Sequence, residues 1–153
     1  TKVALIERLA DAGLKTVEAG AFVSPKWVPQ MAATEEVMER IRRAAGVSYP
    51  VLTPNMKGYE GARAARADTV AVFGAASESF SKENINCSID ESLDRFRPVI
   101  DAAKADGVRV RGYVSCVLGC PYEGDVPVAN VVHVARALYD MGCYEISLGD
   151  TIG

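Results

Sequence analysis

Helix-like and strand-like segments alternate along the whole chain, and this alternation constrains the fold more than any other feature. Segments whose apolar residues recur every three or four positions are followed by short runs that are apolar throughout or alternate between apolar and polar residues. Such alternation predicts parallel strands that are joined by crossover helices. We therefore expect an α/β fold with about five parallel strands and with the helices outside them.

The limits of the predicted elements follow from periodicity and from capping signals. The predicted helices are Thr1–Ala12, Thr34–Arg43, Lys57–Ala67, the segment from Ser88 to about Asp106, and Val128–Met141. The predicted strands are Leu14–Phe22, Ser48–Thr53, Thr69–Ala75, Val108–Val117 and the segment that begins at Tyr144. The remaining segments are predicted to be loops, among them Val23–Met31, Ala76–Asn86 and Leu118–Asp125.

Three sequence signals give specific predictions for the second helix and the long helix. Thr34 is expected to cap the second helix, and Ser88 forms a capping-box pair with Glu91 at the start of the long helix. Pro98 lies inside that long helix, where proline removes a backbone hydrogen bond, so a kink or a break is expected there.

Two architectures fit the alternation: an open doubly wound sheet, and part of a TIM-type β/α barrel. No Gly-rich fingerprint follows the first strand, which weakens the dinucleotide-binding interpretation of a doubly wound sheet. Residues able to bind ligands recur at the ends of several strands, which favours the barrel. A complete barrel needs roughly 250 residues. We therefore expect residues 1–153 to be a single incomplete β/α barrel domain.

Composition excludes several classes of function. The net charge is −3 and no basic patch is visible, so no nucleic-acid partner is expected. No stretch is long and apolar enough to span a bilayer, so no membrane partner is expected. The cysteines lack CxxC spacing, and we expect them to be reduced, packed thiols rather than zinc ligands. They are Cys87, Cys116, Cys120 and Cys143.

Six segments carry a resemblance to a known family. They are FVSPKWVPQM (Phe22–Met31), PVLTPN (Pro50–Asn55), FGAASE (Phe73–Glu78), NINCSI (Asn84–Ile89), RGYVSCVLGCPYEG (Arg111–Gly124) and MGCYEISLGDTIG (Met141–Gly153). Through them the chain resembles the hydroxymethylglutaryl-CoA lyases over almost its whole length. The wider family of isopropylmalate and homocitrate synthases shares mainly the barrel and an ending like DTIG. The segments GCPYEG and VSPKWVPQM favour the lyases.

The resemblance implies a TIM-type barrel, a reaction and a cofactor. The reaction is cleavage of 3-hydroxy-3-methylglutaryl-CoA to acetyl-CoA and acetoacetate, in leucine breakdown and ketone-body formation. The cofactor is a divalent cation, Mg²⁺ or Mn²⁺, and the partner is the acyl-CoA substrate. A homo-oligomer, a dimer, is expected for the full-length protein. The expected location is the cytoplasm of a bacterium or the mitochondrial matrix of a eukaryote.

Several family motifs have no counterpart in these residues. They are the Arg-Asp pair of the first strand, the His-x-His metal pair, the loop with the acid cysteine and a metal-binding Asn. The chain has one histidine, His133, which we expect to be exposed and functionally silent. We therefore expect the first strand and the later strands of the barrel to be absent, the metal ligands to lie outside this chain, and the chain alone to be inactive. The alternatives are another condensing or aldol-cleaving enzyme of the same barrel family, or an inactive fragment that acts as a scaffold.

Two carboxylates are the candidate catalytic residues, and each has a simpler alternative. By resemblance Glu18 stands near the metal, whereas the alternative is a solvated charge at a strand end. Asp150 follows the last strand and is expected to orient the substrate or accept the alcohol proton. The alternative role of Asp150 is to cap the turn that follows the strand.

Six residues are candidates for substrate binding. Tyr113 and Ser147 can donate hydrogen bonds to substrate oxygens, although either can also be a packed polar residue. Arg111 can meet a carboxylate or phosphate, or it can pair with Glu145 on an adjacent strand. A loop over the carboxyl ends of the strands is expected to contact the CoA portion. Its candidate residues are Lys82, Asn84 and Asn86.

Overall fold

Five strands alternate with helices along residues 1–153, all of which the computed structural model describes. The helices are α1 (Lys2–Asp11), α2 (Thr34–Arg40), α3 (Met56–Ala64), α4 (Glu78–Ile85), α5 (Ile89–Ala105) and α6 (Val128–Met141). The strands are β1 (Gly20–Ala21), β2 (Val51–Leu52), β3 (Thr69–Ala75), β4 (Arg109–Ser115) and β5 (Glu145–Leu148). A short 3₁₀ turn covers Pro29–Met31.

The strands lie in the sheet in the order in which they occur in the sequence, β1-β2-β3-β4-β5. The β1–β2, β2–β3 and β4–β5 pairs are parallel. A doubly wound sheet reverses its strand order at a switch point, whereas a β/α barrel adds each strand beside the preceding one. The prediction of a partial TIM-type barrel with about five parallel strands is therefore confirmed.

The chain divides into two compact units, Thr1–Ala71 and Val72–Gly153. In the first unit, β1 is much shorter than the predicted strand Leu14–Phe22. Backbone bonds still extend beyond it, from the Val17 N–H to the Ser48 carbonyl (3.0 Å) and from the Ala19 N–H to the Pro50 carbonyl (2.9 Å). Pro50 has no N–H with which to continue the ladder, so regular pairing begins only after it.

Helix α2 differs from its prediction at both ends. Thr34 is its first residue rather than its cap, and the buried Thr34 Oγ1 instead contacts the backbone of Ala21, accepting from the N–H (3.2 Å) and donating to the carbonyl (3.0 Å). The helix ends at Arg40, before Arg43. The Arg43 guanidinium lies beyond the helix and donates to the carbonyls of Met38 (3.2 Å) and Ala65 (2.8 Å).

In the second unit, α5 confirms the capping box and overturns the predicted break. The Ser88 hydroxyl accepts from the Glu91 N–H, and the Glu91 carboxylate accepts from the Ser88 N–H. The helix continues unbroken through Pro98. Proline within a helix costs about 3 kcal/mol. A fully buried apolar face offsets that cost, formed by Phe96, Val99, Ile100 and Ala103.

The prediction of a loop over Ala76–Asn86 is wrong, because α4 occupies most of this segment. The Ser77 hydroxyl caps the helix by accepting from the Phe80 N–H (3.1 Å). Asn86 ends it in the left-handed conformation, with a φ of 53°. This end state favours asparagine among non-glycine residues. Lys82 and Asn84 therefore lie on a helix, and Asn86 is its C-cap.

Helix α6 matches its predicted limits and ends at Gly142, whose φ of 110° suits glycine. Its residues Val134 and Leu138 are fully buried. In the first unit, by contrast, the chain's single tryptophan, Trp27, is 87% exposed in the loop before the 3₁₀ turn. None of the helices combines the length and the apolar character that crossing a membrane requires.

Candidate functional site

The paired strands β4 and β5 present one face with polar side chains. Along β4, Gly112 and Val114 are buried, whereas Arg111 and Tyr113 on the opposite face are partly exposed. A Cβ added at Gly112 would lie 3.1 Å from the Leu138 side chain, so the buried face of β4 is the one that α6 covers. The alternation that predicted this strand also assigned its two faces correctly.

The strand register brings the predicted residues of this face together. Arg111 is paired with Glu145, and Tyr113 is paired with Ser147. Directly paired residues of parallel strands point to the same side of a sheet. Tyr113, Ser147 and Arg111 therefore share one face, as a common substrate site would require.

Arg111 adopts the ion-pair alternative. Its guanidinium lies 2.9 Å from the Glu145 carboxylate, and its guanidinium carbon lies 5.1 Å from the centre of the Tyr113 ring. The Arg111 side chain is only 20% exposed, and its Nε is buried without a hydrogen-bond partner. Because Glu145 already neutralises this charge, a substrate anion would have to compete for it. A substrate role for Arg111 stays a prediction.

Asp150 lies just beyond β5 and holds the turn that follows. Its Oδ1 atom accepts hydrogen bonds from the N–H groups of Ile152 (3.1 Å) and Gly153 (3.2 Å). The side chain is otherwise exposed. The turn-capping alternative is thus present in the structure. A carboxylate has two oxygens, so this turn does not exhaust the acceptors of Asp150.

The carboxyl ends of β4 and β5 are tied together beside Asp150. The Gly149 N–H donates to the Val114 carbonyl (2.8 Å), and the Cys116 N–H donates to the Thr151 hydroxyl (2.9 Å). Cys116 has a φ of 62°, a left-handed conformation that costs a non-glycine residue about 1–3 kcal/mol. Backbone strain of this kind is concentrated at functional sites in proteins.

The loop after β4 docks on the first turn of α4. The Ser77 hydroxyl donates to Cys120 Sγ (3.0 Å), and the Glu123 carboxylate accepts from the Ser79 N–H (3.3 Å). The rings of Tyr122 and Phe80 lie 6.2 Å apart. A helix N-terminus favours negative charge, so α4 suits both acceptors.

The electrostatics of this loop follow from those contacts. Burial opposes ionisation of Cys120, but hydrogen bonds from Ser77 and from backbone N–H groups outweigh it and lower the Cys120 pKa below the ordinary 9.0. Hydrogen bonds from the side chain and the N–H of Ser79 lower the pKa of Glu123. Burial raises the pKa of the neighbouring Cys116 thiol. The two thiols, four residues apart, are therefore shifted in opposite directions.

The expected CoA-contacting residues are placed differently from the prediction. Lys82, Asn84 and Asn86 are all exposed, but they belong to α4 and its C-cap rather than to a loop. Of the three, Lys82 alone lines an open cleft of about 590 Å³. The other lining residues of that cleft are Glu78, Ser79, Glu83, Ser88, Glu91 and Tyr122.

Glu18 belongs to the first unit. It is exposed and lies between Val17 and Ala19, which are buried. This is the alternation expected of a strand with one covered face. The expected place of Glu18 near the metal stays a prediction.

All four cysteines are free and buried. No group of three or more His, Cys, Asp or Glu residues is arranged to hold a metal ion. His133 is exposed and lies 3.4 Å from Asp90.

Parallel strands in sequential order, with helices between them and polar side chains at their carboxyl ends, define a β/α-barrel protein. The chain matches the HMGL-like family model over residues 1–153, and it belongs to that family. It is 64% identical over 152 residues to the mitochondrial hydroxymethylglutaryl-CoA lyase of Bos taurus, covering 99% of this chain and 47% of the relative.

Two further relatives extend the comparison. A Pseudomonas aeruginosa protein named 3-hydroxy-3-isohexenylglutaryl-CoA/hydroxy-methylglutaryl-CoA lyase is 60% identical, over 99% of this chain and 51% of its own. The crystal structure of the HMG-CoA lyase from Brucella melitensis is 61% identical with a TM-score of 0.96, over 99% of this chain and 53% of that one. The chain thus spans about half the length of the relatives it matches.

Sequence reasoning missed three features of this region: the link from Cys116 to Thr151, helix α4, and the docking of the loop after β4 on that helix. The link from Cys116 to Thr151 had no sequence signal, because nothing marks a cysteine for a left-handed conformation. The docking of Cys120 and Glu123 on α4 was missed because α4 itself was missed. The sequence signal that could have indicated α4 was Ser77, because serine is a preferred helix-capping residue.

Proposed function

We propose that the complete protein containing this chain is a hydroxymethylglutaryl-CoA lyase. It would cleave 3-hydroxy-3-methylglutaryl-CoA to acetyl-CoA and acetoacetate, in leucine breakdown and ketone-body formation. The observation that carries the proposal is the 64% identity to a named lyase over 99% of the chain. The match extends over 152 residues, so the resemblance does not depend on one short motif.

The chemistry is a retro-Claisen cleavage, for which Asp150 is the proposed acid–base residue. A base removes the proton of the tertiary alcohol, the carbon–carbon bond breaks, and an acid protonates the resulting enolate of acetyl-CoA. Asp150 would accept the alcohol proton on its second oxygen, since Oδ1 is engaged by the turn. Tyr113 and Ser147, on one face of the neighbouring strands, would hydrogen-bond substrate oxygens.

Members of the HMGL-like family are generally metal-dependent. We propose that the complete protein uses Mg²⁺ or Mn²⁺, which when bound would lower the pKa of the substrate alcohol. The residues described here form no three-ligand cluster, so the ligands would come from outside this chain. Glu18 is proposed to stand near that ion.

The proposed partner is the acyl-CoA substrate, with α4 contributing to its recognition. Lys82 is exposed and carries a positive charge that suits the phosphates of CoA. Asn84 and Asn86, on the same helix and its cap, would add hydrogen bonds. A homodimer is proposed for the complete protein, in the mitochondrial matrix or in the bacterial cytoplasm according to its source.

A substrate assay tests the function. The purified complete gene product would be incubated with Mg²⁺ or Mn²⁺ and either 3-hydroxy-3-methylglutaryl-CoA or a 2-oxo acid plus acetyl-CoA. We expect acetoacetate and acetyl-CoA from the first mixture and no condensation in the second. Condensation without cleavage would assign the protein to the synthases, and inactivity in both mixtures would favour a scaffold.

A further inference from the structure

We propose that Thr151 is a positioning residue that fixes Asp150 for proton transfer by tying its turn to the end of β4. The inference rests on the proposed function for its kinetic consequence. Its structural part rests only on contacts within the second unit.

The first observation is the anchor. Thr151 is half-buried, and its hydroxyl accepts the Cys116 N–H at 2.9 Å. Cys116 is the residue after β4, and its φ of 62° is left-handed. A strained backbone is kept only where its surroundings hold it in place. The Thr151 hydroxyl is one of the groups that do so.

The second observation is that the anchor lies inside the turn of Asp150. Asp150 Oδ1 accepts from the N–H groups of Ile152 and Gly153, the two residues after Thr151. Acceptor and donors thus flank the residue that is bonded to β4. Ile152 adds a packing contact, because a Cβ at Gly119 would lie 2.6 Å from its Cδ1 atom.

The consequence concerns the direction of one carboxylate. Gly149, before Asp150, is bonded to Val114, and Thr151, after it, is bonded to Cys116. Asp150 is therefore held to β4 on both sides, while its side chain is exposed. Without the hydroxyl of Thr151, the turn would keep the backbone bonds of Gly149, to Val114 and from the Val117 N–H (3.3 Å), and the packing of Ile152, but it would lose its one hydrogen bond to β4 after Asp150. A misplacement of about 1 Å at a reacting group can lower a rate by about 10²-fold.

Three variants of the complete gene product test the proposal kinetically. Thr151→Val keeps the shape but removes the acceptor, and Thr151→Ser keeps the acceptor. We expect Thr151→Val to lower kcat by about 10- to 100-fold with KM within about threefold. Thr151→Ser should restore kcat to within about threefold of wild type. The matched control is Thr69→Val, which removes a buried threonine hydroxyl that lies 3.0 Å from Ser48 Oγ at the amino end of β3. The control should leave kcat unchanged.

Amide hydrogen exchange supplies a readout that does not depend on activity. In Thr151→Val, the peptide containing Ile152 and Gly153 should exchange about tenfold faster, and Thr151→Ser should restore its protection. Wild-type exchange there with normal kcat would overturn the proposal, as would equal losses of kcat in both Thr151 variants or in Thr69→Val. If the wild-type protein lacks lyase activity, the proposed function fails, and exchange alone decides the positioning role.

Discussion

Replacing Ser77 with alanine should uncouple α4 from the loop that follows β4. Ser77 is fully buried, and its one hydroxyl has two roles: it accepts the Phe80 N–H as the helix cap, and it donates to Cys120 Sγ. Loss of an N-cap costs about 1 kcal/mol. Loss of a hydrogen bond costs about 0.5–1.5 kcal/mol more. We therefore expect Ser77→Ala to lower the free energy of unfolding of the complete protein by roughly 2 kcal/mol.

The chain offers a matched control in Ser88, the N-cap of α5, whose hydroxyl accepts from the Glu91 N–H. Ser88→Ala should cost about 1 kcal/mol, the capping contribution alone. Urea unfolding followed by far-UV circular dichroism measures both losses. Equal losses in the two variants would refute the double role of Ser77.

The thiol provides a second readout with a defined sign. Burial opposes ionisation of Cys120, but hydrogen bonds, of which that from Ser77 is the largest, hold its pKa below the ordinary 9.0. A lowered pKa contributes stability above the unfolded-state value, and this contribution is lost as pH falls through the folded-state value. The loss in free energy of unfolding caused by Ser77→Ala should therefore grow from neutral to alkaline pH. The pH at which Cys120 becomes alkylated, measured by mass spectrometry, should be higher in Ser77→Ala and unchanged in Ser88→Ala.

Three further predictions concern the core, a buried thiol and the proposed chemistry. Leu138→Ala should lower the free energy of unfolding by about 2–5 kcal/mol, because Leu138 is fully buried. The control Val132→Ala, on the exposed face of the same helix, should change it by less than about 0.5 kcal/mol. A loss below about 1 kcal/mol in Leu138→Ala would contradict the packing. Burial raises the pKa of Cys143 to about 11, so it should resist alkylation in the folded protein at mildly alkaline pH. Its raised pKa contributes stability below the unfolded-state value that disappears as pH rises through about 11, and rapid labelling of native Cys143 near neutral pH would contradict this. Asp150→Asn should lower kcat by about 10²–10⁴-fold while leaving the urea midpoint nearly unchanged, because asparagine keeps the oxygen that accepts from Ile152 and Gly153; retention of kcat within about tenfold would remove Asp150 from the chemistry.

The sequence predicted those elements whose signals are local and redundant. Helix α6 has apolar periodicity and a terminal glycine, so its limits were predicted correctly. Helix α5 has a capping box, so its start was predicted correctly. Helix α4 is only eight residues long and largely polar, so periodicity gave no sign of it. The fragmentation of the first strand depended on Pro50, a residue of its partner, which no reading of Leu14–Phe22 alone could include.

In the candidate site, too, features with a local sequence signal were predicted and features that depend on the fold were not. Alternation within β4 predicted that Arg111 and Tyr113 share a face, and the register extended that face to Ser147. The ion pair of Arg111 with Glu145 was one of two predicted alternatives. The anchor between Cys116 and Thr151 depends on backbone angles that only the fold imposes.

The exposure of Trp27 determines what fluorescence can report about this protein. The chain has one tryptophan, and 87% of its surface is already in water in the folded state. Its emission spectrum should therefore change little when the core of either unit unfolds, so a flat fluorescence signal would not indicate a stable protein. The same indole is a built-in probe of its own loop. A ligand or subunit that covers this loop should shift the emission to the blue and shield the ring from iodide quenching.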